Sequence, residues 1–505
     1  MLLTLLSLLA IPLAYYLFSE LKGYLKIERY RKQEIKHAEY ISMPALFSKI
    51  AKVGEMNDIF SELKKEMSEQ DSTQPFRVTN FGSTCYLTLI SDKAIRDFYA
   101  QETRVSIKRS HLSKINLLGF LFENGKEVQE KRAIFAKIFH YSNILRLMPG
   151  IREVIRKHVR KLKQRAEGEG GQIKIDLKKE FSRALLDGLS ACILLGGTEN
   201  KLDENFEGMN ITQIIHKMTV LAKDSERNFF NHLPFVSALG LNKEEKEIKR
   251  LKKGLVGIIR NEYNKRYSQE NLNEKSVLGI MVKLNKESEK ETGKLKFTEE
   301  EITSDFELFH FAASDTSFHL SSTTITYLAL PENLRYQKRI QSEVESELGI
   351  SDSYSDDELN SLNEVDNVFR EAARVANPAS AITRQVTKDF KVDGYTVYKG
   401  DQLINTLISY EPEHFKDPLK FNPDRFNADS PDFKRAPKHK QIPFSLGQRA
   451  CLGKYLGEMV VKLIVVELLR EFSVSVEAGY AMKFGQDPLY GVTNPDLIMK
   501  VRRTE

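Results

Sequence analysis

From Met1 to Phe18 the chain reads MLLTLLSLLAIPLAYYLF, without a single charge. That length is close to the ~20 apolar residues a membrane-spanning helix needs. Pro12 falls inside the run, and proline is tolerated in membrane helices. A basic stretch follows, with Lys22, Lys26, Arg29, Arg31 and Lys32. By the positive-inside rule such a flank stays in the cytoplasm. A cleaved signal peptide would carry a basic head and a small-residue cleavage site, and neither is clear in this sequence. The pattern predicts an uncleaved N-terminal anchor over 1–20, a basic linker or hinge over 21–50 and one large folded domain over 51–505.

Inside that domain the periodicity changes with position. FRVTNFG and CYLTLISD alternate as strands do. From about Gly125 to Ile350 the helical period dominates. KKEFSRALLDGLSACILLG is apolar at helical spacing, and KEEKEIKRLKKGLVGIIRNEYNKRY is a charged amphipathic helix. LNKESEKETGKLKF (284–297) is polar and predicts an exposed loop. Thr298 and Glu301 then fit a capping box, in which hydroxyl and carboxylate each satisfy an orphan amide. The spacing predicts a helix from Glu299 to about Ala329, stopped by Pro331. Its middle, FHFAASDTSFHLSSTT, is apolar or small on most faces, so it reads as buried around a polar Asp315–Thr316 pair. Two more amphipathic helices follow, PENLRYQKRIQSEVESEL and VDNVFREAARVANP. Short strands are expected in ITRQVTKDFKVDGYTVYKGDQL, proline-rich loops from Glu411 to Pro443, and a last helix from about Leu452 to Phe472. The fold class is mostly α with minor β.

Composition narrows the function. The 505 residues are 41% hydrophobic and 29% charged, which excludes global disorder. A net charge of +6 is too small a bias to argue for a nucleic-acid partner. Three scattered cysteines, Cys85, Cys192 and Cys451, make neither a disulfide framework nor a zinc site, and a reducing compartment fits them best.

Cys451 stands apart from the other two. It sits in PFSLGQRACLGKYLGEM, where the last helical pattern begins. A helix N-terminus offers free amides and a positive dipole end, both of which stabilise a thiolate. Gly447 and Gly453 permit tight turns, and Arg449 is within reach of an anion. The local chemistry suits a thiolate beneath a flat, anionic cofactor. A buried structural cysteine or a catalytic nucleophile fits it equally well.

FSLGQRACLG (444–453) matches the Phe-x-x-Gly-x-Arg-x-Cys-x-Gly motif of the cytochrome P450 family, and the chain resembles that family along most of its length. Further motifs occur in the expected order. EAAR places Glu371 and Arg374 at the family's Glu-x-x-Arg spacing; FNPDRF (421–426) resembles its Pro-Glu-Arg-Phe segment with Asp424 for glutamate; AASDTS (312–317) resembles its acid–alcohol motif; and VQEKR (128–132) resembles Trp-x-x-x-Arg with Val128 for tryptophan. Ala313 stands where the family usually has glycine. Taken alone, Glu371 and Arg374 at i,i+3 are a common solvated pair, and Thr316 is a helical threonine of the kind that bonds the carbonyl four residues back.

The resemblance implies a helical domain with a long central helix and small antiparallel sheets, holding haem b. It implies Cys451 as the iron ligand, Phe444 beside it, and Arg132, Arg384 and Arg449 at the haem propionates. Asp315 and Thr316 would relay protons, while Glu371, Arg374 and Arg425 would form a structural network. The implied activity is monooxygenation of a small hydrophobic substrate at an endoplasmic reticulum membrane, the catalytic domain facing the cytosol. NADPH and flavin would act only through a partner reductase, docking on Lys131, Lys137, Lys434, Arg435, Lys438 and Lys440. A haem-thiolate isomerase or dehydratase and a non-enzymatic haem sensor are the alternatives, and the Asp315–Thr316 pair argues against both. The substrate pocket is expected from Ser106–Gly119, 306–317, Ala376–Ile382 and 486–495.

Overall fold

The computed structural model describes residues 2–42, 44–45, 73–101, 105–106, 119–180, 188, 191–196, 206–227, 242–269, 276–349, 354–438, 441–486 and 489–502. Among them the longer helices are α1 (Leu2–Arg31), α2 (Asp92–Ala100), α3 (Lys126–Ile138), α4 (Tyr141–Gly168), α5 (Ile211–Arg227), α6 (Lys243–Tyr267), α7 (Val277–Thr292), α8 (Glu299–Ala329), α9 (Leu334–Leu348), α10 (Asn363–Ala376) and α11 (Lys454–Glu471). The largest sheet has five strands. In spatial order they are Phe76–Phe81, Thr84–Leu89, Gln402–Thr406, Ala381–Val386 and Val105–Ser106, and every neighbouring pair is antiparallel except the second and third. A three-stranded antiparallel sheet joins Gln172–Asp176, Asp496–Val501 and Phe472–Ser475.

The capping box is present as expected. Glu301 N–H donates to Thr298 Oγ1 at 3.3 Å, and Thr298 N–H donates to the Glu301 carboxylate at 2.9 Å. α8 runs through the core of the molecule, packed on α11, α10 and α9. Five of its buried hydroxyls are satisfied within the helix. Thr303, Ser304, Ser321, Thr324 and Thr326 each donate to the carbonyl four residues back, at 2.6–3.0 Å. α11 is apolar on most faces, so it too is enclosed, between α8 and α4.

Two expectations need correction. Residues 284–297 are not a loop as a whole, because α7 extends through Thr292. Ser276 caps α7, and Val277, Leu278, Met281 and Val282 form its buried face. The polar run is the solvated side of that helix, and Asn285 within it is buried, holding both the N–H and the carbonyl of Phe297. The helix-dominated middle also contains the strand Gln172–Asp176, which the sequence reading missed. The apolar helical pattern around residues 181–190 lies mostly outside the described residues.

α1 continues without a break from the apolar run through the segment expected as a linker, as far as Arg31. Its C-terminal half docks on the five-stranded sheet. Tyr30 Oη and Lys26 Nζ bond the two oxygens of the buried Asp401, at 2.7 and 2.9 Å. Gly23 lies so close to the strand turn at Gly82 that a Cβ on it would stand 2.3 Å from the Gly82 carbonyl oxygen. Leu17, Phe18, Leu21 and Leu25 remain exposed along the same helix. Among the described residues no helix is long and apolar enough to cross a membrane. Most of the expected anchor's side chains lie outside the described residues.

The Glu371 network is buried. Arg374 makes a bidentate pair with Glu371 at 2.7 and 2.8 Å, and Arg425 Nε reaches the same carboxylate at 3.3 Å. The Asn422 N–H also donates to it, at 2.7 Å. The guanidiniums spend their other donors on the carbonyls of Ser409, Pro418 and Asp417, and Arg425 pairs with Asp432 at 2.5 Å. Breaking a buried ion pair from one side leaves uncompensated charge and costs about 3–5 kcal/mol. Glu371→Ala is therefore expected to lower the unfolding free energy by an amount of that order, read from the shift of the denaturant midpoint. A midpoint equal to that of the unsubstituted protein would show that the carbonyls alone satisfy both arginines.

Candidate active site

Of the three cysteines, Cys85 and Cys192 are buried and Cys451 is accessible. Burial pushes the Cys85 and Cys192 thiols up to about 12, so both stay protonated and inert. Cys451 sits on the turn 444–453 that leads into α11. Ser445 and Gly447 take positive φ (61° and 77°), and the Cys451 N–H closes the turn on the Phe444 carbonyl at 2.9 Å. Phe444 stacks on Phe369 of α10, with centroids 6.3 Å apart, and so fixes the turn to the core. Enclosure by protein raises the Cys451 pKa, while the Gly453 N–H and the Arg132 guanidinium pull it down. The thiol is thus enclosed yet reachable, beside a cation and an amide that both favour its ionised form.

α8 supplies the other wall. It is buried over 302–310 and again over 317–329, but between them Ala312 is exposed and Phe311, Ala313, Asp315 and Thr316 are partly accessible. The break in burial coincides with the AASDTS motif. α11 meets α8 immediately beyond it: a Cβ on Gly457 would lie 3.6 Å from Phe444 and 3.9 Å from Ser317 Oγ. Thr316 Oγ1 donates to the Ala312 carbonyl at 2.7 Å, the ordinary helical bond. The Asp315 carbonyl is held by His319 Nδ1 at 2.8 Å. Burial pushes the Asp315 carboxyl up to about 7, with Lys178 pulling weakly the other way. It is accordingly poised between its acid and its ionised form near neutral pH.

Arginines tie the thiol turn to its surroundings. Arg132 on α3 donates to the carbonyls of Gln448 and Ala450, at 3.0 and 2.5 Å. Arg449 Nη2 donates to the Glu123 carbonyl at 2.7 Å. Both guanidiniums are thus engaged with backbone carbonyls around the thiol turn. Arg384 lies on the strand Ala381–Val386 and donates to its neighbour's carbonyl on Thr383 at 3.0 Å. An accessible, enclosed thiol, two adjacent guanidiniums and a facultative acid on an exposed patch of an otherwise buried helix fit a flat anionic group with a metal at its centre.

Of the expected pocket segments, 107–118 and 487–488 lie outside the described residues. Ala379–Ile382 is accessible, whereas Gly491 presses on the buried side of α8 at His319 and Thr323. Lys131 corrects the expected docking patch. It is only 14% exposed, and its ammonium is bound to Glu301 at 2.6 Å. Lys137, Lys434, Arg435 and Lys438 are exposed, and Lys440 lies outside the described residues. The sequence reading also missed Asp305, which lies buried beside Lys131, 3.8 Å away.

A family model described as Cytochrome P450 matches residues 45–500. Cytochrome P450 734A1 of Arabidopsis thaliana is 24% identical over 414 residues, covering 79% of this chain and 75% of that protein. Cytokinin hydroxylase, from the same plant, is 25% identical over 371 residues, covering 72% of this chain and 68% of that protein. Sterol 14alpha-demethylase of Mycolicibacterium vanbaalenii is 26% identical over 330 residues, covering 64% of this chain and 68% of that one. Among solved structures, retinoic acid bound cyanobacterial CYP120A1 superposes with a TM-score of 0.70 at 17% identity, covering 89% of this chain and 95% of that one.

The raised Asp315 pKa has a consequence for stability. The folded state holds a proton that the unfolded chain, with an ordinary carboxyl pKa near ~3.9, has already released. Asp315 therefore contributes stability that is complete below about pH 4 and is lost as pH rises through about 7. Between those limits Asp315→Asn should flatten the fall of the thermal midpoint with pH. Parallel midpoint-against-pH curves for the two proteins would rule the shift out.

Proposed function

The chain belongs to the cytochrome P450 family, and from that premise we propose that it is a haem-thiolate monooxygenase of a small hydrophobic substrate, supplied with electrons by an NADPH-dependent flavoprotein reductase. The observation that carries this reading is the accessible Cys451 thiol, enclosed beside Arg132 and the Gly453 amide.

Cys451 Sγ would ligate the haem iron as thiolate. Arg132 and Arg449, beside the same turn, and Arg384 on its strand would offer their guanidiniums to the propionates. Phe444, braced on Phe369, would hold the turn against the proximal face. Haem bound in this way supplies the activation of dioxygen, and a thiolate ligand favours cleavage of the O–O bond. The protein supplies orientation, exclusion of water and protons. Thr316 Oγ1 holds its proton on the Ala312 carbonyl and would release it toward the cavity by rotating about χ1. The Asp315 carboxyl, in part protonated near neutral pH, would restore it. The exposed Lys137, Lys434, Arg435 and Lys438 would steer an acidic reductase toward the cysteine side. The apolar start of α1 would anchor the protein to the endoplasmic reticulum membrane.

The reduced, carbonyl-bound holoprotein should show the red-shifted Soret band of a thiolate-ligated haem, and Cys451→Ala should abolish it. Loss of the band in Cys85→Ala or Cys192→Ala, with Cys451→Ala unaffected, would refute the assignment. Thr316→Ala should bind haem normally while the ratio of product formed to NADPH consumed falls by about a hundredfold, the low end of a general acid–base contribution. An unchanged ratio would reduce Thr316 to its helical bond.

A further inference from the structure

Lys131 and Arg132 are neighbours on α3, and they reach opposite walls of the site. Arg132 holds the thiol turn through the carbonyls of Gln448 and Ala450. Lys131 Nζ lies 2.6 Å from Glu301 and 3.8 Å from Asp305, both on α8. A second connection runs parallel to this one. Asp305 Oδ1 accepts the Phe120 N–H at 3.3 Å, and three residues further on the Glu123 carbonyl accepts Arg449. Residues 119–132 thus bridge α8 and the Cys451 turn at two points.

The bridge has little slack. Asp305 is 1% exposed. Gly119 takes φ +48°, and a Cβ there would stand 2.4 Å from Asp305 Oδ1 and 2.9 Å from the Ser304 carbonyl oxygen. Phe120 stacks on Phe135 of α3, centroids 5.6 Å apart and planes within 11°. Phe135 in turn packs on Phe309 of α8 at 4.7 Å. Three rings from three elements therefore fill the space behind the two polar contacts.

We propose that Lys131 and Asp305 form a strut that sets the separation between α8 and the Cys451 turn, with Asp305 as the positioning residue for the cofactor slot. This rests on the haem reading of the slot. The charged groups facing Asp305 are Lys131 from α3, Glu301 from α8 itself and Glu123 from the turn before α3. Burial pushes the Asp305 carboxyl up to about 7; Lys131 and the Phe120 N–H favour its ionised form, and Glu123 and Glu301 oppose it. Ionisation of Asp305 above that pH strengthens both its attraction to Lys131 and its acceptance of the Phe120 N–H. Protonation below it loosens both.

The test is haem release from the holoprotein to excess apomyoglobin, followed by absorbance between pH 6 and 8, with the thermal midpoint measured alongside. Asp305→Ala and Lys131→Met should speed release about tenfold. Asp305→Asn keeps an acceptor for Phe120 without the charge, so it should fall between them and the unsubstituted protein. It should also lose that part of the difference between pH 6 and pH 8 which Asp315→Asn leaves in place. Ile340→Ala, in the buried face of α9, controls for general destabilisation. Unchanged release in Asp305→Ala, equally fast release in Ile340→Ala, or a pH profile preserved in Asp305→Asn would each overturn the strut alone. Absence of the red-shifted carbonyl band from the unsubstituted protein would overturn the haem reading and the strut with it.

Discussion

Two buried guanidiniums, Arg374 and Arg425, share one carboxylate, Glu371. The desolvation penalty of three such ions is recovered only if nearly every donor finds an acceptor. The chain meets that demand with backbone carbonyls drawn from residues 409 to 420. A stretch of irregular chain, rich in proline and short of regular hydrogen bonds, is thereby held on the end of α10. The thiol turn lies further along the chain, at 444–453, and is tied to the same helix by Phe444 on Phe369. Cys451 thus shares a support, α10, with an ion cluster distinct from its own contacts.

The other face of the site is held by different physics. α8 is long and almost wholly enclosed, and most of its buried hydroxyls are satisfied by its own carbonyls. Such a helix has no reason to shift sideways, since neighbouring side chains pack it at interior density. Accessibility at 311–313 and 315–316 is therefore a built opening in a rigid wall. A raised carboxyl pKa at Asp315 follows directly from placing an acid at that opening, away from bulk water.

Much of this was legible in the sequence because the signals were local. The Thr298–Glu301 box, the helix it starts, the Glu371–Arg374 spacing and the turn before Cys451 are each written within a few residues. Lys131 and Asp305 were not legible as partners. A lysine on a charged helix reads the same whether it is solvated or folded onto an acid far along the chain, and only the approach of α3 to α8 separates the two. The same ambiguity hid α7, whose solvated face reads as loop because a helix in water and a loop in water favour the same polar residues. Arg384 shows the opposite case. Its motif placed it on the expected strand, but a strand position does not say where a long side chain ends.

Because α1 is one helix, fixed to the sheet at Gly23, Lys26 and Tyr30, its length works as a gear. Each residue added to or removed from it ahead of Gly23 turns everything N-terminal to the change by about 100° and moves it by about 1.5 Å relative to the catalytic domain. A flexible tether would absorb such changes. Here a single-residue insertion would re-aim the whole apolar run against the domain below it, so the count of residues in this helix is itself structural information.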